Sequence, residues 1–367
     1  MRVVVVNVGS STVKLAVVDG GRRVASAVVD VGSDTAVSDA VGDALLSSGR
    51  PDVVGHRIVH GGSSFTKATL LHDDVISSLA ELTPLAPLHQ QRSLDGITMI
   101  RRLFPDTPQV GCFDTAFFAG LPVHSRTYPL PKEWRERFGL VRFGFHGLSH
   151  SYAARRAVSL LGADTATRIV TCHLGSGASL AAIRDGRPID TTMGFTPLEG
   201  IVMSTRSGSV DPGMLLWLQS QAALDVAEVT DGLEHRSGLL GLAGTTDMQE
   251  ILKRASAGDE DATTARDVYI HRLCAGIASM AAAIDGVDAL VFTGGVGENA
   301  SEIRARACAN LAHLGARIDE SLNESAAGDE LIQSADSSVA VLVVAAREEI
   351  EIANQVERLL SAAGFNG

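Results

Sequence analysis

Lysine is scarce in this chain: Lys14, Lys67, Lys132 and Lys253 are the only four in 367 residues. Cysteine is as rare. Cys112, Cys172, Cys274 and Cys308 show no C-x-x-C spacing, which argues for buried free thiols rather than disulfides or zinc ligands. No unbroken apolar stretch exceeds Val339 to Ala346, far too short to cross a bilayer. Arg2 and the four valines after it run straight into a polar turn and do not read as a signal peptide, so a cytoplasmic protein is expected. Positive charge is in deficit, and the formal net charge of -12 argues against nucleic acid as a partner. It also means that an anionic substrate needs a local basic cluster.

Several motifs are missing as well. There is no G-x-x-x-x-G-K-[ST], which excludes a P-loop enzyme, and no G-x-S-x-G, which weakens a serine-hydrolase reading. Gly295-Val-Gly-Glu-Asn-Ala300 follows a strand pattern like a dinucleotide fingerprint, but no acidic residue closes a second strand about twenty residues on. His146 and His150 have the i, i+4 spacing of a metal pair, yet Gly147 between them argues against a regular helix there.

What the chain does have is one strand-turn-strand unit written twice. Residues 2–21 align without a gap over residues 168–187, with seven identities in twenty positions: Arg2/Arg168, Val4/Val170, Gly9/Gly175, Ser10/Ser176, Ala16/Ala182, Asp19/Asp185 and Gly20/Gly186. In each copy an apolar strand enters a Gly/Ser turn, and a second strand ends at Asp-Gly, a hairpin signal. Two ordinary hairpins with glycine turns would explain either copy alone; the pair in register indicates duplication. Two such turns offer backbone N–H groups and hydroxyls to a polyphosphate. Length and a 45% hydrophobic content suit two domains with two cores.

Short β-rich runs alternate with helical segments along the chain. The patterns predict a helix around Asp39 to Ser47, a strand over Val53 to Val59, a helix around Leu88 to Phe104 and a strand over Val110 to Phe113. Between Ala119 and Trp134 the periodicity lapses around Pro122, Pro129 and Pro131, so the domain junction is placed there. An N-terminal domain of residues 1–118 and a C-terminal domain of residues 119–349 are expected, with helix 350–367 completing the first. In the second half the patterns predict helices around Pro212 to Leu224 and Asp267 to Ile284, a strand over Ala289 to Thr293, a helix after Asn299, a strand over Val339 to Val344, and a last helix over Glu348 to Ala363.

Charged residues fall at the ends of these strands, where ligands bind in α/β folds. Arg57 ends one run, Asp114 follows another, Arg206 sits in Met203-Ser-Thr-Arg-Ser-Gly208, and Glu348 follows the last strand. Each has a plainer reading. Asp114 and Glu348 could be helix N-terminal carboxylates, and the arginines could be solvated or paired at the surface. Their shared position and the placement of Lys14 beside the first turn favour a site.

At these residues the sequence resembles the acetate kinase family almost from end to end. The matching stretches are Asn7-Val-Gly-Ser-Ser-Thr-Val-Lys14, Gly55-His-Arg-Ile-Val-His-Gly-Gly62, Leu85-Ala-Pro-Leu-His89, Phe113-Asp-Thr-Ala-Phe117 and Arg142-Phe-Gly-Phe-His-Gly-Leu-Ser-His150. Further on come Cys172-His-Leu-Gly-Ser-Gly177, Thr192-Met-Gly-Phe-Thr-Pro-Leu-Glu-Gly200, Arg206-Ser-Gly-Ser-Val-Asp-Pro212 and Phe292-Thr-Gly-Gly-Val-Gly-Glu-Asn299. The resemblance implies an α/β fold of the actin and sugar-kinase type: two duplicated domains of mixed sheets flanked by helices, with a nucleotide cleft between them. It also implies the reaction ATP + acetate ⇌ ADP + acetyl phosphate, with Mg²⁺ or Mn²⁺ in its place, and a homodimer.

By the same resemblance Asn7 and Glu348 match metal positions, and Lys14 and the turn His173, Leu174, Gly175, Ser176 and Gly177 match those near the ATP phosphates. Gly295, Val296, Gly297, Glu298 and Asn299 match the adenosine loop, and Asp247 is carried over with it. Arg57 matches the group that binds the acetate carboxylate and Asp114 the catalytic acid. His146 and Arg206 match groups that stabilise the transition state, and Val59, Leu88, Phe145 and Pro197 the methyl pocket. Arginine suits such chemistry because its planar fork stays charged and can bridge carboxylate and phosphoryl oxygens. Acetate is already ionised at neutral pH, so Asp114 reads better as an orienting or metal-linked group than as a proton acceptor. The chain departs from the family pattern at Thr12, Gln90-Gln91, Phe118 and Gln249. Two alternatives stand beside the kinase reading: a propionate or butyrate kinase of the same superfamily, and an actin-like ATPase that would need neither the arginines nor the apolar pocket.

Overall fold

The computed structural model describes residues 1–9, 12–30 and 49–364; the side chains of residues 30 and 87–89 lie outside that description. The helix expected around Asp39 to Ser47 and Ser10 of the first turn are likewise outside the described residues. The chain divides into two compact units. One is Met1–Ala119 with Phe145–Tyr152 and Arg347–Gly367; the other is Gly120–Gly144 with Ala153–Ala346.

The first unit holds strands β1 (Arg2–Val8), β2 (Thr12–Asp19), β3 (Arg22–Asp30), β4 (Val53–Ile58), β5 (Thr69–Leu70) and β6 (Gln109–Phe113). They form one sheet in the order β3-β2-β1-β4-β6-β5, with β1, β4 and β6 parallel and the other pairs antiparallel. The second unit holds β7 (Arg168–Leu174), β8 (Ala178–Arg184), β9 (Arg187–Thr191), β10 (Ala289–Thr293), β11 (Glu330–Leu331) and β12 (Ala340–Val343). Its order, β9-β8-β7-β10-β12-β11, and every strand direction repeat the first sheet.

Duplication is thus present in the topology, but the gapless alignment holds only up to the first turn. Val8 pairs with Val13, whereas Leu174 pairs with Ala178, so the first turn is one residue longer. Beyond it the copies correspond with a one-residue slip. The β-bulge at Val17/Val18 answers to Ala182/Ile183, and the pair Asp19–Arg22 answers to Arg184–Arg187. The identities Ala16/Ala182, Asp19/Asp185 and Gly20/Gly186 therefore do not mark equivalent positions. A kinship that sequence does not show lies at the sheet base. The backbone N–H of Arg2 donates to Asp52 Oδ2 at 2.7 Å, and that of Arg168 to Asp288 Oδ2 at 2.8 Å.

Side chains alternate across each sheet. One face of the first sheet presents Val3, Val5, Ala16, Val18, Val53, Val110 and Cys112 to the last helix, Glu348–Ala362, through Ile352, Ala353, Val356 and Leu360. The opposite face, with Val4, Val6, Val13, Leu15, Val17 and Val54, packs on Ile100 of the helix Pro87–Leu103. Gly55 is required under the last helix, where an added Cβ would lie 2.7 Å from Ile352 Cγ2. In the second unit the helix Glu260–Ala283 buries the stripe Ala262, Ala265, Tyr269, Leu273, Ile277 and Met280, at the 3–4 residue spacing of one face.

Three segments differ from expectation. Between Ala119 and Trp134, Val123–Arg126 and Lys132–Phe138 form short helices, each entered through a proline at the cap. A regular helix does begin between His146 and His150, running Gly147–Leu161. Gly147 favours that start, because its N–H donates to the Asp114 carbonyl at 2.9 Å and a Cβ there would lie 2.2 Å from the same oxygen. The same bond, with Leu148 in the first core, draws Phe145–Tyr152 into the first unit, where a division at 118/119 assigns it to the second.

His56, 2% exposed on β4, contacts Gln109 Oε1 through Nε2 at 2.8 Å. Burial lowers its pKa from 6.5 to about 4, and burial does the same to His60. Between those values the unfolded chain binds the proton and the fold does not, so stability falls as pH drops from 6.5 towards 4. Each imidazole contributes at most about 3 kcal/mol to that fall. His56→Gln should remove about half of the slope in urea midpoints over this range; an unchanged slope would show that His56 is not buried neutral.

Candidate active site

Asn7, Arg57 and Asp114 lie at the C-terminal ends of the parallel strands β1, β4 and β6, on the sheet face that the last helix covers. The register sets this. Val3, Val5, Val53, Val110 and Cys112 face that helix, and Asn7, Arg57 and Asp114 continue their alternation past its first turn. Lys14 stands directly across from Asn7 in the β1–β2 ladder, hence on the same face, and is exposed. Glu348 is the first residue of the helix itself.

These side chains converge on Arg57. Its Nη2 donates to Asp114 Oδ2 at 2.7 Å and its Nε reaches both Asp114 oxygens at 3.2 Å. Its Nη1 donates to Asn7 Oδ1 at 3.3 Å and lies 3.4 Å from Glu348 Oε2. Asn7 Nδ2 in turn donates to Glu348 Oε2 at 3.1 Å. Burial disfavours the Arg57 charge, but the carboxylates of Asp114 and Glu348 outweigh it, and the guanidinium is held above its ordinary pKa. Burial pushes the Asp114 carboxyl, 1% exposed, upward against the pull of Arg57. A 3₁₀ helix, Ala116–Gly120, follows Asp114 by two residues, but both carboxylate oxygens bond Arg57, so that pairing accounts for its geometry. For Glu348 both readings hold, since it opens a helix and bonds Asn7.

His146 is buried and sits at φ 57, a left-handed conformation rare for a side chain other than glycine and one that clusters at functional sites. Its carbonyl accepts from His150 N–H at 3.0 Å, opening the helix. Phe145, beside it, is 1% exposed and meets His60 edge-on at 5.5 Å, while Val59 is half-buried. The side chain of Leu88 is outside the described residues. Gln90, one of the departures from the family pattern, is fully buried and clamps the chain just past Arg57. Its Oε1 accepts from His60 N–H at 3.3 Å, and its Nε2 donates to the carbonyls of His60 and Leu79 at 3.1 and 3.2 Å. Phe118, another departure, packs edge-on against His150 at 5.8 Å.

In the second unit His173 and Leu174 end β7, and Gly175, Ser176 and Gly177 form the turn to β8, closed by Gly175 N–H to the Gly177 carbonyl at 3.0 Å. Gly294–Asn299 form one helical turn that Gly294, at φ 80, presses against β7; a Cβ there would lie 2.9 Å from the Leu174 carbonyl. Gly295 stays open, since a Cβ there would meet nothing within 4 Å. Asn299 Nδ2 donates to the Gly295 carbonyl at 2.8 Å. The Glu298 carboxylate is committed to backbone, accepting from Gly294 and Ala346 N–H at 3.1 and 3.0 Å. Val296 and Gly297 complete the turn. Behind it Arg304, 1% exposed, donates to the carbonyls of Gly297 and Glu298 at 2.9 and 2.8 Å, an anchor with no sequence signal beyond its place in a helix pattern. Asp247 is an exposed helix cap whose carboxylate accepts from Gln249 N–H at 2.8 Å, so capping accounts for its geometry.

Arg206 differs from Arg57. It is half-buried, its Nη1 donates to the Pro197 carbonyl at 2.7 Å, and no carboxylate of the described residues comes within 4.0 Å of it. Burial lowers its pKa from the ordinary arginine value, which leaves it protonated. The Glu234 carboxylate offsets that charge in part, from beyond ion-pair distance.

The oxygens of Asn7 and Glu348 are hard donors. Two protein ligands suit Mg²⁺, which retains waters and takes the remaining oxygens from substrate phosphates. Among the described residues no group of three or more His, Cys, Asp or Glu could hold a metal by itself. The residues present fit an ion that arrives with a nucleotide.

The chain is also similar to known proteins. The chain is 43% identical over 308 residues to the acetate kinase of Carboxydothermus hydrogenoformans, covering 84% of this chain and 77% of that protein. It is 46% identical over 311 residues to the acetate kinase of Nostoc punctiforme, covering 84% and 76%. The crystal structure of Porphyromonas gingivalis acetate kinase superposes with a TM-score of 0.89 at 37% identity, over 98% of this chain and 99% of that one. A propionate kinase from Francisella tularensis also gives 0.89, at 35% identity over 96% and 98%. The model of the acetokinase family matches residues 43–354, and the chain belongs to that family.

Proposed function

We propose that this protein is an acetate kinase, catalysing reversible phosphoryl transfer between ATP and acetate, with acetyl phosphate and ADP as products. One observation carries the reading: Arg57, Asp114, Asn7 and Glu348 form a single bonded cluster at the strand ends. Kinship with acetate kinases supports it. The protein is read as a cytoplasmic homodimer. The helix Pro212–Ser220, which buries no residue and exposes Met214, Leu216 and Trp217, supports self-association.

Both reactants are anionic, and the barrier is largely their repulsion. Arg57 Nη2 keeps a second N–H after bonding Asp114, while Nη1 faces Asn7 and Glu348, and the acetate carboxylate is assigned to this guanidinium. Acetate needs no general base. Both Asp114 oxygens bond Arg57, and since ionised acetate offers no proton, Asp114 is assigned to fixing the guanidinium. Arg206 and His146 are assigned to the charge that spreads over the transferring phosphoryl oxygens. Lys14, the Gly175 turn and the Gly294–Asn299 segment are assigned to ATP, and Asn7 and Glu348 to Mg²⁺. Mg²⁺ supplies charge neutralisation on the phosphates.

ATP turnover should require both acetate and a divalent metal, with acetyl phosphate trapped by hydroxylamine. Turnover unchanged by omitting acetate would leave an ATPase of another kind.

The two arginines should separate. Arg57→Ala and Arg206→Ala are each expected to lower kcat by roughly 10³-fold. Only Arg57→Ala strands a buried carboxylate, so it alone should cost about 3 to 5 kcal/mol in urea denaturation. Equal stability of the two variants would contradict the ion cluster.

Val59 and Phe145 are apolar, and apolar side chains beside a substrate methyl reject longer acids by size alone. One methylene is worth about 1 to 3 kcal/mol, so propionate should be poorer by roughly 10- to 200-fold in kcat/KM. Val59→Ala should narrow that gap. A parent enzyme that prefers propionate would favour the propionate kinase reading, which the Francisella structure keeps in view.

A further inference from the structure

We propose that Tyr128, Arg142 and Glu199 are positioning residues for Arg206, acting through the loop whose Pro197 carbonyl holds its guanidinium. The proposal rests on the reading of Arg206 as a group that meets the transferring phosphoryl.

Between the end of β9 at Thr191 and the helix that starts at Pro212 the chain forms no helix or strand. A stretch this long must satisfy its backbone groups by other means. The Arg142 guanidinium does much of this: Nη1 faces the carbonyls of Thr191, Thr192 and Met193 at 3.2, 3.4 and 3.0 Å. Its Nη2 donates to Glu199 Oε1 at 2.8 Å, and its Cζ lies over the Tyr128 ring, 5.3 Å from the centre. Tyr128 closes the set. Its hydroxyl donates to Glu199 Oε2 at 2.5 Å and accepts from Phe195 N–H at 2.8 Å. Both oxygens of Glu199 are therefore bound, and Arg142 and Tyr128 tie down the loop on both sides of Pro197.

Pro197 thus sits in a span pinned at Phe195 and Glu199. Its carbonyl accepts from Arg206 Nη1 at 2.7 Å, a neutral anchor that fixes the cation without spending its charge. The packing admits little slack. A Cβ on Gly194 would lie 1.7 Å from Glu199 Oε2 and 2.0 Å from the Tyr128 hydroxyl, so the network closes directly over that glycine. The aim of Arg206 therefore follows from three side chains none of which touches it.

A double-mutant cycle on the full chain tests this, reading kcat and KM for ATP with acetate in excess for the parent, Tyr128→Phe, Arg206→Ala and the double variant. Tyr128→Phe removes one hydroxyl and keeps the ring under Arg142. It should lower kcat by about 10- to 100-fold while KM for ATP moves by less than about threefold, as misplacement of a transition-state group does. In the Arg206→Ala background the same change should lower kcat by less than about twofold, because nothing is left to misplace. Glu199→Gln should repeat the pattern and covers the case in which Tyr128→Phe fails to fold. Multiplicative losses in the double variant would make the network merely structural and overturn the proposal, as would an unchanged kcat in both single network variants. If Arg206→Ala itself leaves acetate-dependent turnover within tenfold of the parent, the catalytic reading of Arg206 falls, and the proposal with it.

Discussion

The charge cluster around Arg57 is the constraint on which the first unit depends. A guanidinium 20% exposed and a carboxylate 1% exposed are costly to desolvate separately, and become tolerable only when bonded at two points, as Arg57 and Asp114 are. That requirement propagates outward. Asp114 stays in place because its N–H bonds the Ile58 carbonyl, at the end of β4, and its own carbonyl receives Gly147 N–H. Glu348 stays because its helix lies along the same sheet face, close enough that only glycine fits at residue 55. The apolar alternation that builds the core also places Arg57 and Asp114 at strand ends on one face, and Glu348 comes from the helix that covers it.

The second unit has the same sheet with different contents at the same places. By strand register, Asn7, Arg57 and Asp114 correspond to His173, Thr293 and Ala346. Where the first unit places an amide and two opposite charges, the second places an imidazole, a buried hydroxyl and an alanine. One topology thus carries two sets of strand-end residues, because what diverged was the residue at each strand end and the length of one turn.

Much of this was legible in the sequence, and the exceptions share a cause. Strand Ala289–Thr293 agrees with its pattern at both ends, and the last helix is recovered to within one residue. Composition and spacing suffice for such elements because each is decided locally by apolar period. The helix start at Gly147 was not legible, since the favourable term there is a bond to the carbonyl of Asp114, thirty-three residues earlier. Nor was the one-residue slip after the first turn, because Asp-Gly closes both hairpins in sequence while the bulges show a different equivalence. Gln90 and Arg304 carried no signal as anchors: an amide or a guanidinium that holds backbone carbonyls looks, in sequence, like any polar residue on a helix.

The two site arginines show why residue type alone does not fix a role. Arg57 is surrounded by carboxylates and its charge is largely compensated before any ligand arrives, which suits a group that must hold a substrate anion in a fixed orientation. Arg206 is held by a peptide carbonyl and feels a carboxylate, Glu234, only beyond ion-pair distance, which suits the proposed role of meeting charge that develops during transfer. Against the field of a chain with net charge -12, a half-buried arginine held by a neutral carbonyl keeps more of its positive potential than one paired as Arg57 is, and such a residue needs neutral atoms to aim it.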